Sequence, residues 1–357
     1  PQSKEKSLLL EKKLEKRPIR WHNRAMKILV DALGGDNAPQ AVLGGAVKAL
    51  KKKGDLELVI AGPSSLCKET LEKAGADLSK VEFLEAKTAV LNTDHPALFL
   101  RQKPDSSLAV CYEALRKRDD IDGMVSAGPT GAVLTGAVLR LGRIPGIERP
   151  ALLSTLPTKN SSFVRLIDSG ANMDSKPQYL YQFGLMASVY LQCIGMENPR
   201  ISLLNVGSEE GKGDELSKEA FSLLKEGSLN FIGNIEADHV LDGITDVVVC
   251  DGFAGNVFLK GTEGACYFMK DLMKNAVSGN FLRKIGALFQ LRGIKQASAP
   301  FKLAKKACAP LLGTKKLVVK THGKSDADVF EGTILETCSL AEKRLIAKIE
   351  EALPKGQ

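Results

Sequence analysis

The sequence predicts an α/β protein: a largely parallel sheet covered by helices on both faces. Three observations carry that reading. Short apolar runs recur along the chain, as strands buried on both faces do. Helix-prone stretches separate them. Several of the runs end in a polar, glycine-rich loop.

The elements follow in order. MKILVDA (Met26–Ala32) is a first buried strand, short, apolar and partly β-branched. GGDNAP follows, where Asp36 and Asn37 suit a helix cap, and the helix spans Gln40–Lys53. LELVIA (Leu56–Ala61) is the second strand, closed by Gly62 and Pro63, and a third lies near Val81–Leu84. Leu108–Arg118 is helical, Gly123–Ser126 a strand and Gly131–Leu141 the helix after it. Later strands are expected at Ala151–Leu156, Phe163–Asp168, Ile201–Val206, Phe231–Ile235, Val247–Cys250 and LVVK (317–320).

With 357 residues, 44% hydrophobic, the chain can bury a substantial core. Residues 26–357 read as one domain. Residues 1–25, with the charged stretch LLLEKKLEKR (8–17), read as an N-terminal extension or cloning leftover without fixed order. Residues 262–312 form a helical excursion that is both basic and apolar. Within it Phe281, Ile285, Leu288 and Phe289 follow helical spacing, interleaved with Arg283, Lys284 and Arg292. Two readings stay open for it: a core or dimer-interface helix, or a face for a membrane surface or carrier protein.

Charge is unevenly spread. Residues 1–27 carry a net of +6 and residues 270–316 a net of +10, which leaves an acidic body beneath a total of +8. Such basic segments are either solvated faces or docks for acidic partners and anionic membrane. Aromatics are 5% of residues, with one Trp, too few for base stacking, so no nucleic acid is expected. Seven cysteines show no C-x-x-C pair, which argues against a disulfide framework or zinc site and for a reducing cytosol. Four scattered histidines include no H-E-x-x-H. No apolar run approaches the length of a membrane span, and the N-terminal stretch lacks a signal peptide's apolar core. The expected location is therefore the cytoplasm.

Five loops end strands: DALGGDN (31–37), SAGPTG (126–131), DSGANMDSK (168–176), NVGSEEGKG (205–213) and DGFAGN (251–256). In open α/β sheets the carboxyl ends of strands line the ligand crevice. No G-x-S-x-G elbow, catalytic cysteine motif, Walker lysine or dinucleotide fingerprint occurs. What is present suits a small anion: backbone N–H groups at helix N-termini with little side-chain bulk. Lys212, between Gly211 and Gly213, is the favoured cation, with Lys176, His322 and Lys324 as further charged groups in such loops. Asp31, Asp36, Asp168, Asp174 and Asp251 are read as loop and cap residues rather than Mg²⁺ ligands, so no metal is expected.

DALGGDNAP, SAGPTGA, GIERPAL (146–152), DSGAN, PRISLLNVGSEEGKG (199–213), VVVCDGFAGNVFLK (247–260), PLLG (310–313) and HGKS (322–325) occur in that order. The ordered set resembles the bacterial acyl-acyl-carrier-protein:phosphate acyltransferases of phospholipid synthesis, over about residues 26–345. The resemblance implies a Rossmann-like three-layer α/β/α fold akin to isocitrate/isopropylmalate dehydrogenases and phosphotransacetylases. It implies transfer of a fatty acyl group from a carrier-protein thioester to inorganic phosphate, giving acyl phosphate. It implies a homodimer, no cofactor, and peripheral contact with anionic membrane at the inner face of the cell membrane. On the matching motifs, Ser126, Gly128, Thr130 and Gly131 would cradle phosphate. Lys212 would neutralise phosphate or the developing oxyanion, and Asn256 would donate to the thioester oxygen. Asn172, Asp251, Gly255 and His322 would contact substrate. Three departures stand out: Pro129 replaces the family's Asn, Ala307–Ala309 (with Cys308) replace Tyr-Gly-Gly, and Ala237 replaces Gly.

That reaction needs no protein nucleophile. Phosphate is already an anion near neutral pH, and the leaving thiol has a pKa of about 8.5. Positioning is worth roughly 7–11 kcal/mol in intramolecular models, and one oxyanion donor about 2.7–4 kcal/mol. Alternatives are an acyl-coenzyme A phosphotransacetylase, a dehydrogenase on the related fold, and a catalytically impaired membrane adaptor suggested by Pro129.

Overall fold

The computed structural model describes residues 24–278, 293 and 308–354. Its strands are β1 (Met26–Asp31), β2 (Leu56–Gly62), β3 (Val81–Glu85), β4 (Gly123–Ser126), β5 (Ala151–Leu152), β6 (Ser154–Pro157), β7 (Phe163–Ile167), β8 (Ile201–Asn205), β9 (Phe231–Glu236), β10 (Val247–Val249), β11 (Ala309–Leu312) and β12 (Val318–Lys320). The helices that matter below are α1 (Gln40–Lys52), α2 (Ser64–Lys73), α3 (Phe99–Gln102), α4 (Ser107–Lys117), α5 (Thr130–Arg140), α6 (Pro177–Cys193), α7 (Glu215–Glu226), α8 (Gly252–Ser278), α9 (Ala327–Glu342) and α10 (Leu345–Ala352).

The α/β class and the mostly parallel pairing hold, but the strands divide between two sheets. One runs β3-β2-β1-β4-β12-β11-β5 and the other β6-β7-β10-β8-β9. Pairing is parallel except where β11 meets β12 and β5, and where β6 meets β7. The division falls inside a segment that reads as one strand in the sequence, Ala151–Leu156. Its first two residues pair with β11 and its last three lie in β6 against β7. Leu153, fully buried between them, donates its N–H to the carbonyl of Pro310 at 3.1 Å. A segment without Gly, Pro or a charge carries no mark of such a change of sheet.

Helices cover the first sheet as the pattern requires. α1 buries Val42, Leu43, Ala46, Val47 and Leu50 on one side and ends in Lys51 and Lys52, which suit the negative end of its dipole. On the opposite face α4 packs on α5, and the buried Tyr112 donates its hydroxyl hydrogen to the carbonyl of Val133 at 2.5 Å. The two sheets share core: Leu312 and Val319 of the first cluster with Ile167, Val247 and Val249 of the second, and with α6. α6 has no sequence expectation because it is buried nearly all round, so it lacks the polar stripe that marks a surface helix.

α8 begins at Gly252, ten residues before the expected start of the basic excursion. Tyr267, Phe268, Met269, Leu272 and Met273 are exposed along it. Residues 279–292 and 294–307, with Phe281, Ile285, Leu288 and Phe289, lie outside the described residues, as do residues 1–23. No described helix is long and apolar enough to cross a membrane.

Candidate active site

Three loops at the carboxyl end of the first sheet are knitted together. Asp31, at the end of β1, is buried, and its carboxylate accepts from the hydroxyls of Ser107 (2.5 Å) and Ser126 (2.6 Å). Burial pushes this carboxyl above its ordinary pKa, opposed by those hydroxyls and by the N–H groups of Leu33 and Gly34. Ser126 also accepts from the N–H of Gly128 at 3.0 Å. Thr321 donates its N–H to the carbonyl of Ser126 (3.0 Å), and Asp36 its own to Gly323 (2.7 Å). Gly35, at φ +102°, permits that approach; a Cβ there would sit 2.9 Å from the Gly323 oxygen. The hydroxyl of Ser126 and the N–H of Gly128 are thus engaged within the protein. His322 is exposed, and its Nδ1 accepts from the N–H of Lys324 at 3.1 Å.

Thr130 and Gly131 open α5. Pro129 is the N-cap residue, at φ −55°, and offers no side-chain acceptor. The first helical N–H with a partner is that of Val133, bonded to Pro129 at 2.9 Å. Those of Thr130, Gly131 and Ala132 have no acceptor among the described residues, as the first turn of an uncapped helix dictates.

Loops after β7 and β10 form a second rim. Asp168, fully buried, accepts from the N–H groups of Leu152 (3.1 Å), Gly170 (3.2 Å), Ala171 (2.9 Å) and Asn172 (2.7 Å), and from the Asn172 amide (2.9 Å). Burial pushes its carboxyl up against that circle of donors. Asn172 spends its remaining amide hydrogen on the carbonyl of Pro150 at 2.8 Å. Asp251 caps α8, accepting from Phe253 and Ala254 at 2.8 Å each. Gly255 lets α8 approach the loop: a Cβ there would lie 2.0 Å from the carbonyl oxygen of Asp168. Asn256 lies beside Gly170, 3.3 Å from where a Cβ on that glycine would be. Its amide makes no hydrogen bond to the described protein.

The two rims meet in a shallow recess lined by Thr130, Val133, Leu134, Leu152, Ala171, Leu311 and Lys320. Lys320 ends β12 and donates to the carbonyl of Thr321 at 3.0 Å. Burial brings its ammonium down to about 8; Lys260 reinforces the shift and Glu263 opposes it. Lys260 and Glu263 pair with each other at 2.9 Å on α8. Sequence reasoning missed Lys320, because a lysine closing an apolar strand reads as its solvated end. Its neighbours in the recess come from four distant stretches of chain.

Lys212 stands elsewhere on the strand-end side. It lies in the loop after β8, half-exposed, with its ammonium 3.8 Å from Glu209. No hydrogen bond or ion pair joins it to Thr130, Asn256 or Lys320. The cysteines are all free, and every one but Cys266 is buried. Burial holds their thiols well up, Cys67 to about 11 and Cys338 to about 12. Among the described residues no three His, Cys, Asp or Glu side chains gather as a metal site requires.

Residues 26–348 match the family model described as "Fatty acid synthesis protein". The chain is 41% identical over 331 residues to the phosphate acyltransferase of Clostridium acetobutylicum, covering 92% of this chain and 99% of that protein. It is 39% identical over 333 residues to the phosphate acyltransferase of Brevibacillus brevis, covering 93% and 98%. Among solved structures it resembles a phosphotransacetylase from Streptococcus pyogenes, with a TM-score of 0.57 at 18% identity over 89% of this chain and 94% of that one. A branched-chain phosphotransacylase from Enterococcus faecalis gives 0.53 at 12% identity, over 91% and 99%. At such identities the structural likeness is one of fold.

Proposed function

We propose a reaction for this chain from the premise that it belongs to the phosphate acyltransferases, acyltransferases of fatty acid and phospholipid synthesis. Inorganic phosphate attacks the carbonyl carbon of an acyl-carrier-protein thioester directly, without a covalent acyl-enzyme. A phosphate oxygen forms the new C–O bond, and the C–S bond breaks. The thiolate leaves and takes a proton from water, and acyl phosphate departs.

One observation carries the reading. In a strand-end region where Asp31, Asp168 and Asp251 accept from backbone donors of their own loops, the first three N–H groups of α5 have no partner among the described residues, and Thr130 lines the recess. Those groups and the Thr130 hydroxyl receive phosphate, as helix N-termini receive anions. Asn256, with its amide unengaged, donates to the thioester oxygen. Lys212, on its pliable Gly-Lys-Gly backbone, reaches the same oxyanion from the neighbouring loop. The high thiol pKa values of the buried cysteines support a mechanism without a cysteine nucleophile. Asn172, Asp251 and Gly255 shape the site through the contacts above, and His322 marks its outer edge. The acidic carrier protein suits the basic residues 270–316, and the exposed apolar side chains of α8 suit a homodimer or a peripheral membrane contact.

Acyl-phosphate formation from palmitoyl-carrier protein and labelled phosphate tests this, with palmitoyl-coenzyme A as a second donor. The expected result is turnover with the carrier-protein donor and a loss of about tenfold or more in Lys212→Ala, the scale of one charge-assisted hydrogen bond. Turnover with coenzyme A alone would replace the donor, and no turnover at all would sink the reaction.

A further inference from the structure

Lys320 is a half-buried ammonium that nothing above accounts for. It lines the recess with Thr130, on a wall otherwise made of Val133, Leu134, Leu152, Ala171 and Leu311. Among the described residues its one hydrogen bond goes to the carbonyl of its neighbour Thr321, and no carboxylate pairs with it. Among the described residues the charges acting on it are Lys260 and Glu263 of α8, which pair with each other and so largely cancel at its position. The strands flanking β12 present Ser126 and Ala309 beside Lys320, neither of them charged. A cation held partly out of water without a counter-ion carries a desolvation cost. The cost is offset where an anion regularly enters.

We propose that Lys320 is a second anion-binding group of the site, whose ammonium contacts inorganic phosphate together with the open N–H groups of α5. The proposal rests on the phosphate-transfer reading and assigns Lys320, rather than Lys212, to the phosphate. The division is chemical. Phosphate above neutrality carries two charges, and three uncharged N–H groups neutralise neither fully. A lysine ammonium adds one whole charge at the donors' own location.

The expected signature is specific to charge. With wild type, kcat/KM for phosphate falls as pH rises through about 8, where Lys320 loses its proton and phosphate is already mostly dianionic. Lys320→Gln raises KM for phosphate roughly ten- to a hundredfold, the scale of one hydrogen bond to a charged group, leaves KM for the acyl carrier near wild type, and loses the alkaline limb. Lys320→Arg restores most of the phosphate affinity and moves the limb upward. Melting temperatures are taken alongside. A Lys320→Gln protein with unchanged phosphate KM and an unchanged pH profile overturns the proposal.

A second measurement needs neither a variant nor turnover. Limited reductive methylation of the wild-type chain is read by peptide mass spectrometry with and without inorganic phosphate, against equal ionic strength of chloride. Phosphate protects Lys320 several-fold if the proposal holds, and equal labelling overturns it. Protection in a protein that makes no acyl phosphate would keep the anion site and discard the reaction.

Discussion

Two helices begin at neighbouring strand ends and begin differently. α8 opens under Asp251, whose carboxylate takes the N–H groups of Phe253 and Ala254. α5 opens under Pro129, which takes none. The loop beside α8 is closed in the same way, with five donors turned inward on Asp168. One side of the site is saturated by the chain's own anions, and the other is left with donors and an unpaired lysine. Position at the carboxyl end of a strand does not make a binding site. Unspent donors do.

The comparison can be broken most severely at Gly255. A methyl group there must displace the backbone of Asp168, so Gly255→Ala should cost on the order of 3 kcal/mol and detach α8 from the closed loop. Urea unfolding measures it; a cost under about half a kcal/mol would mean the close approach is not needed. A sharper test exchanges the two helix starts. Pro129→Asp should give α5 the cap that α8 has, stabilise the fold by about 0.5–1 kcal/mol and raise KM for phosphate tenfold or more. Unchanged phosphate kinetics in a stabilised protein would place phosphate elsewhere. The smallest effect is the reverse change. Asp251→Ala should lower stability by about 1 kcal/mol with little change in phosphate KM, since its donors face the chain and not the recess.

Much of this architecture is legible in the sequence. β1, β2, β4, β7 and β10 are short apolar runs that lie nearly where periodicity places them, and the glycine-rich loops after β1, β4, β7 and β10 help build the rims. Three features are not legible, each for a physical reason. Ala151–Leu153 runs straight into Ser154 and Thr155 with no Gly or Pro between, so nothing marks Leu153 as the point where the chain changes sheets. α6 hides because a helix buried on all sides has no amphipathic period. Lys320 hides because its partial burial is made by Leu152, Ala171 and Leu311, none of them its neighbour in sequence. Ser126, Gly128, Asn172 and Asp251 show the opposite case. Their types suggest ligand contacts, yet the structure commits their polar groups to holding loops in place.

The passage of the chain from one sheet to the other at Leu152–Ser154 has a mechanical meaning. The recess is a seam: Thr130 and Lys320 stand on one plate, Ala171 on the other, and Leu152 at the join. A ligand that touches both sides acts as a rivet, and its binding free energy is added to whatever already holds the plates together. Shear between the sheets and occupancy of the seam are then one coordinate, so a force applied to either is felt by the other.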